Sequence, residues 1–138
     1  MSDRGRKRRI LFTVLTVLWM LVIWGHSMMP ASLSKQESGG LLALLIGYFP
    51  WLTDHIIRKA AHFTEYAILG VLLFGAVKGS KRSPAFPPLV GILTAMADET
   101  IQIYSEGRSG QVTDVWLDFA GFLLLWGLLH LLFGRKTS

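Results

Sequence analysis

Arg58, His62 and Glu65 fall at i, i+4 and i+7, so on one helix they would share a stripe, with Glu65 about 10 Å further along the axis than Arg58. A guanidinium, an imidazole and a carboxylate in that order could hold an anion and move a proton. The stripe opens a run that from Ala67 to Val77 carries no charge, reading AILGVLLFGAV. Charge is costly inside a lipid-facing helix, so the stripe should face protein and mark a functional site. Further polar groups interrupt later apolar blocks: Asp98, Glu99 and Gln102 in one, Asp114 and Asp118 at i, i+4 in the next, with Arg108 in the turn between. Buried charges need partners or they neutralise. Arg58 or Arg108 with carboxylates, and His62 with Glu65 or an aspartate, would supply them.

The elements that must position these groups are membrane helices. Of 138 residues, 51% are hydrophobic and only 17% charged, against about 25% charged in ordinary soluble domains. Mean hydropathy is +0.45. There is no cysteine, which excludes disulfide and thiol chemistry. Residues 10–33 lack Asp, Glu, Lys and Arg, a length that spans a bilayer of about 30 Å. MMPAS at 28–32 makes a poor cleavage site, so this block reads as an uncleaved anchor. Spans are expected at about 10–29, 56–77, 88–106 and 112–133, within one domain covering 10–133. Ser34–Gly40 reads as a polar turn. The following stretch to Leu52, stopped by Pro50, is too short to cross and reads as an interfacial helix. Thr53 or Asp54 would cap the second span, and prolines 84, 87 and 88 lead into the third.

The net charge of +5 is arranged as membrane topology rather than as a nucleic-acid surface. Ten of the fourteen basic residues lie in three short segments: Arg4 to Arg9, Lys78 to Arg82, and Arg135-Lys136. Basic residues beside spans mark the cytoplasmic side. The fold expected is therefore an all-α integral membrane four-helix bundle. Both termini would be cytoplasmic, in tails at 1–9 and 134–138, with a short extracytoplasmic interfacial helix between spans one and two. Every acid except Asp3 falls in the outer half or beyond. A polar pocket opening outward follows, with Glu99 and Gln102 facing in, since neighbours about 100° apart cannot both do so. Gly70, Gly75, Gly91 and Gly121 read as sites of close helix packing. Trp116, Trp126 and His130 read as packing or interface residues, and His26 and His55 as exposed.

Taken together, Arg58-Lys59-x-x-His62-Phe63-x-Glu65-Tyr66, Asp98-Glu99-x-x-Gln102, Gly107-Arg108-Ser109-Gly110 and Asp114-Val115 resemble the signature of the VanZ-like family of bacterial membrane proteins. The likeness runs from about 58 to 127, and His26-Ser27 adds a weaker motif. Asp118 departs from it, standing where the family usually has Asn, which alters the pocket's charge balance. The resemblance implies a cell-envelope role, in a family named for a protein linked to low-level teicoplanin resistance.

From the residues, two main classes of function are open. In the first, the pocket binds or processes an anionic, phosphorylated envelope lipid or lipid-linked precursor. His62, Glu65, Glu99 and Asp114 would carry any proton transfer, and Arg58, Lys59, Tyr66, Asp98, Gln102, Arg108 and Asp118 would hold the ligand. A divalent metal on Asp98, Glu99, Asp114 or Asp118 would suit the same chemistry, oxygen ligands favouring Mg²⁺ or Ca²⁺. In the second, the same groups serve a small proton-coupled transporter, for which a homo-oligomer would supply the missing repeat. A membrane scaffold is the third and plainest alternative. Whether there is catalysis is left open.

Overall fold

The computed structural model describes residues 3–134, and within them the chain is all helical, with no strand. Helix α1 spans Asp3–Met28, α2 Ala31–Leu45, α3 Asp54–Val77, α4 Phe86–Ile103 and α5 Val112–Phe133. The basic segment is not a separate tail as far as it is described. It forms the first turns of α1, with Asp3 paired to Arg6 at 3.2 Å and to Lys7 at 2.9 Å. Arg135-Lys136 and most of the 134–138 tail lie outside the described residues.

Helices α1, α3 and α5 are long and apolar enough to cross a membrane. Burial is inverted relative to a water-soluble domain. Along α1 the residues Ile10, Leu11, Val14, Val17, Leu18 and Leu21 are exposed, as are Leu124, Leu128, Leu131 and Leu132 along α5. Meanwhile Ser27, Thr94, Asp98, Glu99, Gln102 and Asp118 are buried. A chain that exposes leucine and hides aspartate is built for lipid, and this is a membrane protein.

Helix α3 touches each of the other four and holds the centre. Ile23, Tyr66, Leu69, Leu73, Ala76, Ala95 and Phe122 form the core, flanked by Trp19, Trp24, Phe119 and Trp126. Apolar burial gains little when the alternative is lipid, so close packing and polar ties must hold the helices together. Both are present. A Cβ at Gly70 would lie 2.6 Å from the carbonyl oxygen of Phe122, and one at Gly121 would run into that of Phe63, so α3 and α5 meet backbone to backbone. Gly75 faces the Phe12 ring and Gly91 the Phe122 ring. The indole N–H of Trp19 donates to the Glu65 carbonyl at 2.9 Å, and that of Trp24 to the Thr94 carbonyl at 3.4 Å. These bonds tie α1 to α3 and α4.

Two local expectations are corrected. The polar stretch Ser34–Gly40 is not a turn but the body of α2, which starts straight after Pro30 and ends at Leu45. Pro30 sets the backbone for a helix start, and serine, lysine, glutamine and glutamate are compatible with helix. The turn falls later, at residues 46–53. Helix α4 begins two residues before the expected span and ends at Ile103, so Glu106 shares no helix face with Glu99 and Gln102. The carbonyl of Glu106 instead accepts from the N–H of Ala31 at 2.9 Å, joining the start of α2 to the α4–α5 turn. As expected, Thr53 caps α3, its hydroxyl accepting from the N–H of Ile56 at 3.3 Å.

Candidate functional site

The polar groups gather where the start of α3, the end of α4 and the start of α5 meet beneath α2. The stripe on α3 forms because the Thr53 cap fixes where the helix begins and because Ala60, Ala61 and Phe63 keep the intervening turns regular. Arg58 Nε lies 3.2 Å from Asp54 Oδ2, one turn earlier, and Asp54 in turn accepts from the hydroxyl of Ser38, anchoring α2. Lys59 pairs with Asp114 across to α5. Arg108 is carried by the turn, where Gly107 takes φ of 72°, a conformation that favours glycine.

Two cavities open here, of about 210 Å³ and about 240 Å³. Arg58, His62 and Arg108 line both. The first is completed by His26, Ser34, Glu37 and Glu65, the second by Lys35, His55, Lys59, Gln102 and Asp114. Arg108 makes no ion pair among the described residues. Burial and the neighbouring Arg58 guanidinium hold its pKa below the ordinary arginine value, although arginine remains charged at any physiological pH.

Under the cavities the expected pairings rearrange. Glu65 does not orient His62. It turns toward α1, where its Oε1 lies 2.6 Å from His26 Nδ1. His26 is thus exposed as expected, yet it is a site residue, and only the weak His26-Ser27 motif pointed to it. His62 Nδ1 instead lies 3.6 Å from Asp98 Oδ2 and 4.0 Å from Asp118 Oδ1. Asp98 is 0% and Asp118 1% exposed.

Asp98 and Glu99 do point different ways, as expected, yet neither faces water, because both sides of α4 are covered here. Asp98 points to α3 and α5, while Glu99 Oε2 accepts from the N–H of Gln111 at 2.8 Å in the following turn. Gln102 bridges them, its Nε2 donating to Glu99 Oε1 at 2.9 Å and to Asp98 Oδ2 at 3.4 Å. The four acids considered for a metal therefore separate. Glu99 serves the α4–α5 turn and Asp114 serves Lys59, while Asp98 and Asp118 converge on His62. Tyr66, expected to hold ligand, is fully buried in the core and lines neither cavity.

Two cavities sharing Arg58 and Arg108 lie over the cluster of half-buried His62 with buried Asp98 and Asp118, carried on the apolar helices of a membrane protein. Residues 12–133 match the family described as VanZ/LLP1, and the chain belongs to that family. No curated protein and no solved structure matches it.

Proposed function

We propose that the chain is a multi-pass protein of the bacterial cytoplasmic membrane whose outward-facing pocket binds an anionic, phosphorylated envelope lipid or lipid-linked precursor. On this reading α1, α3, α4 and α5 are four spans, both termini are cytoplasmic, and α2 lies at the outer interface. Helix α4, at 18 residues, covers about 27 Å at 1.5 Å per residue, enough for a protein-flanked span. The exposed aromatics support a membrane interface at this level. Tyr48, Trp51, Tyr104 and Trp116 all sit at the site end, as in an interfacial aromatic belt. Lys78, Lys81 and Arg82 mark the opposite end.

The observation that carries the proposal is the pair Arg58 and Arg108, shared by both cavities, with Arg108 in no close ion pair among the described residues although Asp98, Glu99 and Glu65 act on it from further off. Adjacent guanidiniums favour an anion between them, and a phosphate accepts from both in bidentate fashion. The cavities are smaller than the roughly 300–1,000 Å³ of sites that enclose a whole drug-sized ligand. They suit a headgroup whose chains stay in the bilayer. An effect on glycopeptide susceptibility would follow from holding a wall precursor.

The carrier reading draws on the same ionisable groups, but Leu69, Leu73, Ala95 and Phe122 fill the core. A proton relay would have to cross that apolar layer, which weighs toward a binder or an enzyme of the outer leaflet.

Native mass spectrometry of the protein titrated with phosphatidylglycerol, a polyprenyl phosphate and phosphatidylcholine tests the proposal. The two anionic lipids should be retained over the zwitterionic one, and Arg108→Gln should reduce that retention about ten-fold, a charged hydrogen bond contributing about 1.5–3 kcal/mol. Equal retention of all three lipids would count against it.

A further inference from the structure

We infer that His62, Asp98 and Asp118 form a binding site for one divalent transition-metal ion, of the Mn²⁺ or Zn²⁺ type, at the floor of the pocket. The three residues come from three helices, and one ligand atom from each lies within 4.8 Å of the others. His62 Nδ1 lies 3.6 Å from Asp98 and 4.0 Å from Asp118, against about 3.4 Å between tetrahedral ligand atoms at 2.1 Å bonds. A small inward rotation of the side chains closes that gap.

Charge supplies a second, independent reason. Among the described residues Asp98 and Asp118 lie within 4 Å of no cationic group except His62: Lys59 is held by Asp114, Arg58 by Asp54, and Arg108 acts on Asp98 only from further away. Two buried carboxylates beside one imidazole must either take up protons or gain a cation, and a bound metal ion would supply that cation.

Hydrogen bonding supplies a third. His62 Nδ1 and both oxygens of Asp118 are buried without hydrogen-bond partners, as is the hydroxyl of Tyr66. Unpaired atoms of this kind are rare in native interiors and call for an unseen occupant. Gln102 holds Asp98 from behind, in the manner of an outer partner to a ligand. The imidazole is what favours a transition metal over Mg²⁺ or Ca²⁺, which prefer all-oxygen shells.

This inference does not depend on which anion enters the pocket, and its test has its own readout. Elemental analysis of the purified protein, followed by Mn²⁺ titration monitored by electron paramagnetic resonance, should give close to one ion per chain. Mn²⁺ or Zn²⁺ should raise the thermal midpoint where Mg²⁺ does not. Asp118→Asn, close in shape and able to fold, should lower metal affinity at least ten-fold and lose the thermal shift. Arg108→Gln should reduce lipid retention about ten-fold and keep the metal. The inference is overturned if wild-type protein stays metal-free after saturation, or if Asp118→Asn binds as well as wild type. Loss of metal in both variants would equally refute this ligand set.

Discussion

Gly121→Val should leave little folded protein in detergent, whereas Gly127→Ala should be recovered as wild type. At position 121 the first added carbon runs into the carbonyl oxygen of Phe63, part of the backbone of α3. A backbone atom cannot swing aside as a side chain would, so α5 must move away from α3 along their whole contact. Overpacking in a core costs about 1–3 kcal/mol where side chains can adjust, and a displaced helix pair has no such escape. Nothing lies within 4 Å of a Cβ at Gly127, so alanine there meets no obstacle and gains helix propensity. Titration into a denaturing detergent, read by circular dichroism, would measure both variants. Equal midpoints for Gly121→Val and wild type would mean that α3 and α5 do not approach as described.

The second large effect concerns binding. Arg58→Gln combined with Arg108→Gln should weaken retention of a polyprenyl phosphate by about 100-fold or more, from two charged contacts of about 1.5–3 kcal/mol each. The fold should survive. Arg58 is partly exposed and loses only its pair with Asp54, while Asp54 keeps the hydroxyl of Ser38 and a favourable place in the first turn of α3. Inorganic phosphate at equal concentration should not displace the lipid if the acyl chains contribute to affinity. Displacement would identify a free-phosphate site instead. Unchanged lipid retention in the double variant would remove the arginines from the site altogether.

Much of the site could be read in the chain because charge in an apolar run is conspicuous. Arg58, His62, Asp98 and Asp118 each break such a run, and membrane energetics requires them to turn toward one another. The close-packed glycines were legible for a related reason, since small residues have few other uses in a membrane helix. The choice of partner was not legible. Whether Glu65 serves His62 or His26 depends on where α1 lies against α3, a tertiary fact that no spacing within α3 contains. Nor does helical period reveal that residues 107–111 fold back over α4, which lets Asp98, Glu99 and Gln102 all be buried. The misread turn at Ser34–Gly40 has a similar origin. Its polarity suits a turn or a helix lying over a polar recess equally well, and the ties from Ser38 to Asp54 and from Ala31 to Glu106 decide between them.

The proposed binding site requires these groups to converge at the outer face of the membrane. Since the chain has no cysteine, single cysteines at Ser109 and Ser80 report cleanly with a membrane-impermeant maleimide. Ser109→Cys should label in intact cells, and Ser80→Cys only after permeabilisation. The reverse pattern, or labelling of both from one side, would contradict the account.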